Sequence, residues 1–92
     1  MKINIIGRQM NVYEDTKQLI EKKLAKLDKY FKTEAEATVT LSRKHNVSTL
    51  EITINAANTL FRSEVGAEFF RDALDKSIDA IERQIRKNKT KL

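Results

Sequence analysis

Apolar and polar residues alternate along this chain in two different periods, and each change of period marks the edge of an element. Lys2 to Ile6 is a short run rich in β-branched residues, closed by Gly7, and reads as a strand. Residues 14–32 follow a helical period, with Thr16, Ile20, Leu24, Leu27 and Phe31 forming one apolar stripe. Residues 35–44 alternate strictly: Ala35, Ala37, Val39 and Leu41 fall on one side, Glu36, Thr38, Thr40 and Ser42 on the other. Residues 48–56 repeat the pattern with Leu50, Ile52 and Ile54 inward, so Lys44-His45-Asn46-Val47 is the hairpin connection. A further strand spans about 59–66, with Phe61, Ser63 and Val65 facing opposite to Leu60, Arg62 and Glu64. From about residue 67 the period is helical again, and Phe70, Leu74, Ile78, Ile81 and Ile85 form the stripe, with Ser77, Asn88 and Leu92 on the same side.

The order is therefore β-α-β-β-β-α, an α+β chain. The first unit is a crossover, which makes its two strands parallel, and the hairpins that follow add antiparallel strands. Each later strand has one apolar face and each helix one apolar stripe. The expected architecture is a four-stranded mixed sheet with both helices packed on one face. No proline, repeat or low-complexity stretch divides the chain, so residues 1–92 are expected to form a single domain.

Composition narrows the chemistry. There is no cysteine among the 92 residues, which removes thiolate metal sites, disulfides and thiol nucleophiles. The single histidine, His45, lies in a hairpin turn without a second imidazole to pair with. Ser42, Ser48 and Ser63 lack a recognisable base, and there is no glycine-rich phosphate loop. Neither an enzyme nor a metal or other cofactor is expected. No apolar run reaches the roughly 18 residues of a membrane span, and the opening MKINII lacks the apolar core of a secretory signal. The expected location is the cytoplasm.

The formal charge of +5 is distributed unevenly. Residues 17–32 carry six lysines against Glu21 and Asp28, a net +4. Residues 83–92 hold Arg83, Arg86, Lys87, Lys89 and Lys91 with no acid, a net +5, while 33–70 and 71–82 are each −2. At about 100° per residue, Lys22, Lys26 and Lys29 fall opposite the stripe of the first helix, with Lys23 at its flank. Lys76, Arg83, Arg86 and Lys87 fall opposite the stripe of the second. A lysine-rich outer face is usually only a solvated one, and acids early with bases late also suit the helix dipole. Two such faces side by side, one ending in the acid-free run RQIRKNKTKL, point instead to an anionic partner bound through its phosphates. The aromatics do not suggest base stacking: Phe31, Phe61 and Phe70 fit the core, Tyr30 its rim, and Phe69 precedes the regular helix, packs as a staple or acts as an exposed contact. Recognition of structured RNA by shape and backbone is the better match.

The chain resembles the ribosome hibernation-promoting factor family, also called ribosome-associated inhibitor or light-repressed proteins. The residues that carry the resemblance are Met1–Gly7 (MKINIIG), Lys22–Phe31 (KKLAKLDKYF), Ala35–Leu41 (AEATVTL), Ala73-Leu74-Asp75 and, most specifically, Glu82–Leu92 (ERQIRKNKTKL). The resemblance implies a fold like that of double-stranded-RNA-binding domains. It also implies binding to 16S rRNA of the small ribosomal subunit, in the mRNA and tRNA channel near the decoding centre, which keeps idle ribosomes inactive under stress or in stationary phase. By position, the rRNA contacts would be Lys22, Lys23, Lys26 and Lys29 on the first helix, and Arg83, Arg86, Lys87, Lys89 and Lys91 at the end of the second. Lys76 joins them from the charge pattern. Three positions depart from the family: Ala80 stands where a basic residue is common, Arg71 replaces a tyrosine, and Tyr13 stands where a threonine usually caps the first helix, leaving that start frayed or capped by Asn11. Short members end near Lys91-Leu92, whereas long members continue into a second domain that dimerises ribosomes. Ribosome pairing is thus expected only where such a domain or another factor is present.

Three other functions compete with this one. A general double-stranded-RNA-binding module would share the charge but not the ribosome specificity. A protein adaptor or homodimer would use an exposed sheet edge and be insensitive to salt. A hydrolase would require a carboxylate pair that the pattern does not reveal.

Overall fold

The computed structural model describes residues 1–88, so Lys89, Lys91 and Leu92 lie outside the described residues. Strand β1 (Lys2–Gly7) leads into helix α1 (Glu14–Leu24) and a 3₁₀ segment (Ala25–Tyr30). Strands β2 (Glu36–Lys44), β3 (Val47–Ala56) and β4 (Thr59–Ala67) follow, and helix α2 (Phe70–Lys87) comes last. The sheet has the order β1-β2-β3-β4, with β1 parallel to β2 and the remaining pairs antiparallel. The expected β-α-β-β-β-α mixed sheet is borne out.

Register explains why the core lies on one side. Ile5, Val39, Ile52 and Ser63 stand in one row across the four strands, and Ile3, Ala37, Ile54 and Phe61 in the next. Because side chains alternate along a strand, these rows share a face. Val39, Ile52, Ile54, Phe61 and Ser63 are buried there, together with Ile20, Leu24 and Leu27 from the first helical region. Helix α2 adds Ala73, Leu74, Ser77, Ile78, Ile81 and Ile85. Ser77 is small enough to let α2 sit close: the Ser63 hydroxyl donates to the Ser77 carbonyl at 3.1 Å. Among the described residues no layer covers the opposite face of the sheet, and Ile6 and Leu60 are 50% and 64% exposed on it.

Two-residue turns set this register. His45-Asn46 and Ala57-Asn58 each have positive φ at both positions (51° and 64°, 50° and 60°), the geometry whose twist matches a tight antiparallel hairpin. His45 is thus an exposed turn residue. The outer edge of β4 is covered at one residue, Arg62. Gln84 of α2 accepts a hydrogen bond from the Arg62 amide (3.1 Å) and donates one to the Arg62 carbonyl (2.6 Å), occupying backbone groups that would otherwise invite another strand.

The first helix departs from the sequence pattern. One continuous helix over 14–32 is expected, but the α-helix stops at Leu24 and a tighter 3₁₀ turn continues to Tyr30. The apolar spacing changes from four to three at this point, and residues three apart eclipse in a 3₁₀ helix. Leu24 and Leu27 can therefore both drop fully into the core. No glycine is present to end the α-helix with a left-handed residue. At the other end, Tyr13 is the N-cap in an extended conformation and makes no side-chain capping bond. The Thr16 amide donates to Asp15 Oδ1 at 2.8 Å, so the first turn is supported from within rather than by Asn11.

The loop between β1 and α1 folds back on the strand it leaves. A Cβ at residue 7 would lie 2.3 Å from the Met10 carbonyl oxygen and 2.8 Å from Val12 Cγ2, so only glycine permits this return.

Candidate nucleic-acid interface

The two helical regions run side by side in the same direction. Lys23 of α1 forms an ion pair with Asp75 of α2. Seven residues further along each element, the Tyr30 hydroxyl donates to Glu82 Oε2 at 2.8 Å and accepts from Arg86 Nε at 3.3 Å. Arg86 also lies 3.8 Å from Glu82, an i,i+4 pair on α2. The Tyr30 oxygen, and after it the Glu82 charge, hold the Arg86 guanidinium above its ordinary pKa. These contacts fasten the 3₁₀ segment to the last turns of α2.

Their effect is to gather cations. Lys26 and Lys29 are three apart in the 3₁₀ segment and so stack on one ridge. Arg83, Arg86 and Lys87 stand on the neighbouring turns of α2, and all five are exposed. Lys22 and Lys76 extend the charge back along the two helices and are exposed as well. Among the described residues, no carboxylate lies within ion-pair distance of Lys22, Lys26, Lys29, Lys76, Arg83 or Lys87. Arg83 Nε reaches only the Asp79 carbonyl, at 3.5 Å, and Lys29 sits 5.3 Å over the Tyr30 ring. Charges left unpaired in this way retain their field for a partner.

The structure thus brings the two cationic faces together but places a neutralised seam between them. Lys23, counted in the sequence among the site residues, is half-buried and spent on Asp75. Asp75 and Glu82 were not singled out by the charge pattern, although their spacing of seven puts both on one flank of α2, the flank that faces α1. Tyr30 is half-buried at the rim of the core, where its hydroxyl organises the seam. Lys89 and Lys91 lie outside the described residues. At the other end of the helices, Glu14 and Asp15 stand in the first turn of α1 and Asp72 in that of α2. No helix among the described residues is long and apolar enough to cross a membrane.

Fold and surface together define a small α+β architecture with one uncovered sheet face and one cationic helix layer among the described residues. Residues 3–92 match the model of the Sigma 54 modulation protein / S30EA ribosomal protein family, and the chain belongs to that family. It is similar to the ribosome hibernation promotion factor of Bacillus subtilis, with 37% identity over all of this chain and 50% of that protein. The ribosome hibernation promoting factor of Escherichia coli K12 is 27% identical over all of this chain and 97% of its own length. The chain therefore spans about half the length of the Bacillus relative and nearly all of the Escherichia coli one. Among solved structures, the N-terminal domain of Thermus thermophilus Protein Y superposes with a TM-score of 0.88 at 32% identity, covering 94% of this chain and 97% of that one. A ribosomal subunit interface protein from Coxiella burnetii shares the fold (TM-score 0.82) at 14% identity, covering 95% of this chain and 96% of that one.

Proposed function

We propose that residues 1–92 act as a ribosome hibernation factor that binds 16S rRNA of the small ribosomal subunit in the mRNA and tRNA channel near the decoding centre. Occupying that channel keeps ribosomes inactive in the cytoplasm under stress or in stationary phase, with no bond made or broken. The observation that carries this is the helix layer, on which Lys22, Lys26, Lys29, Lys76, Arg83 and Lys87 are exposed and have no carboxylate partner among the described residues. Lys23, Arg86, Lys89 and Lys91 complete the rRNA-binding set. Cations at this density bind a phosphate backbone by releasing its counterions. The names of the relatives support the ribosome as the place where that backbone is found.

Co-sedimentation with purified small subunits tests this. The chain is expected to pellet with the subunits, to be excluded when mRNA and tRNA are bound first, and to resist displacement by excess duplex RNA. The Lys22→Glu, Lys26→Glu, Arg83→Glu, Lys87→Glu variant is expected to stay in the supernatant. Displacement by duplex RNA at equal nucleotide concentration would instead identify a general double-stranded-RNA-binding module. Unchanged binding of the variant would remove the helix layer as the interface.

A further inference from the structure

A cavity of about 240 Å³ opens at the end of the molecule where both helices begin. The returning loop supplies Met10, Val12 and Tyr13, strand β2 supplies Leu41 and Arg43, and Phe70 closes the wall from α2. Its lining is mainly apolar, yet it is not the inside of the core: Tyr13 is 70% exposed at its rim. Phe69, next to Phe70 in the chain, is 63% exposed. Aromatic exposure is thus concentrated where the sequence pattern shows no platform.

The cavity exists because β2 outruns β1. Pairing between these strands ends at Gly7 and Leu41, and the Arg8 amide donates to the Leu41 carbonyl at 2.8 Å. The Ala35 and Leu41 carbonyls both accept from the β1 side, so odd-numbered residues of β2 turn their backbone toward β1. The next in that series is Arg43, beyond the end of β1, whose backbone N–H and C=O therefore face the cavity. A donor and an acceptor side by side in an apolar slot, beside an aromatic ring, form a surface for the edge and the face of a planar heterocycle. The Arg43 guanidinium is fixed nearby by a 2.6 Å bond to the Ser48 hydroxyl, with a longer contact of 3.4 Å to the Glu68 carbonyl.

A shallow trough connects this cavity to the cationic layer. Thr16 and Phe70 line both, and the trough continues past Arg71 to Lys22. Asp15 also lines it, with one carboxylate oxygen already accepting from the Thr16 amide. A strand whose phosphates follow Lys22 and Arg71 arrives with a base at the mouth of the cavity. We infer that this cavity is a subsite for one unpaired nucleobase of the bound RNA, stacked on Tyr13 and hydrogen-bonded by the Arg43 backbone. The inference rests on the RNA-binding function proposed above and adds base contact to a surface otherwise limited to phosphates. Unpaired bases are the features of RNA that proteins read by stacking and edge contacts.

The test uses the ¹⁵N-labelled chain and two single-stranded RNA octamers, one of adenosines and one fully abasic. Both octamers should shift the amides of Lys22 and Lys26, and only the adenosine octamer should shift Met10, Val12, Tyr13, Arg43 and Phe70. Because Tyr13 makes no capping bond, Tyr13→Ala should leave the fold intact. It should weaken the adenosine octamer about fivefold or more and leave the abasic one unchanged, as expected for loss of one stacked base. If the helix layer responds while the cavity is silent, or moves equally with the abasic octamer, the base subsite is overturned and the RNA surface stands. A cavity made for an apolar side chain of a protein would give that same silence. If neither region responds to either octamer, RNA binding itself fails and the subsite fails with it.

Discussion

On the bare face of the sheet, Lys2, Lys44 and Arg62 stand among Glu36, Glu51 and Glu64, interspersed with Thr38, Thr40, Thr49 and Thr53. On the helix layer, six cations stand with no carboxylate in ion-pair range among the described residues, although Asp75 and Glu82 are only a turn or two away. Both surfaces are rich in charge, and only one has a net field. The difference lies in pairing. Arg62 donates to Glu51 at 2.7 Å across neighbouring strands, whereas the acids of the seam are turned inward to Lys23, Tyr30 and Arg86. A formal charge of +5 spread over this chain would be weak attraction; sorted onto one layer, cations make a concentrated field for an anionic partner.

The layers also differ in what they contribute to stability, and this is where the largest effect is expected. Ile81 is fully buried between α2 and the sheet, so Ile81→Ala should destabilise the fold by about 2–5 kcal/mol in urea unfolding. Leu60→Ala on the bare face should change stability by no more than about 0.5 kcal/mol. A comparable loss at Leu60 would mean that something covers the bare face in solution.

Salt sharpens the comparison next. If the helix layer neutralises phosphates, Lys87→Ala should reduce the slope of log affinity against log salt for small subunits by about one. Lys44→Ala, exposed on the other face, should leave the slope unchanged. The seam gives a smaller effect. Tyr30→Phe removes the hydroxyl that joins Glu82 to Arg86, which should lower stability by about 1 kcal/mol and weaken subunit binding with it.

The smallest effect lies in the pairing on the bare face. The hydrogen bond from the Arg62 guanidinium holds the Glu51 carboxyl below the usual carboxylate range. A pKa lowered by folding contributes stability above the unfolded value, and the contribution is lost as pH falls through the folded one. Glu51→Gln should therefore flatten the decline in stability between about pH 5 and pH 3, and the same substitution should not alter RNA binding at pH 7.

The sheet was nearly transparent in the sequence because strand patterns are local. Val39, Leu41, Ile52 and Ile54 declare their face by alternation alone, and tight turns at His45-Asn46 and Ala57-Asn58 leave no freedom in register. The α1 region was only half legible: Leu24 and Leu27 fit either an α-helix or a 3₁₀ turn, and the choice depends on how the sheet receives them. Lysines on an outward face could be read from helical period. What Lys23 meets could not, because its partner Asp75 lies 52 residues away and is brought near only by packing. The cavity at Arg43 was equally hidden, since it arises where β1 stops short of β2, a mismatch in length that no residue pattern announces.

If the helix layer is the interface, the position of the cations and not the total charge decides binding. Two double variants of equal net charge test it directly: Lys26→Glu with Lys87→Glu on the helix layer, and Lys2→Glu with Lys44→Glu on the bare face. Their affinities for purified small subunits, measured at one fixed salt concentration, should differ sharply. The helix-layer pair is expected to lose at least about tenfold, as removal of two phosphate contacts implies, and the bare-face pair less than about twofold. Equal losses from the two pairs would contradict the account.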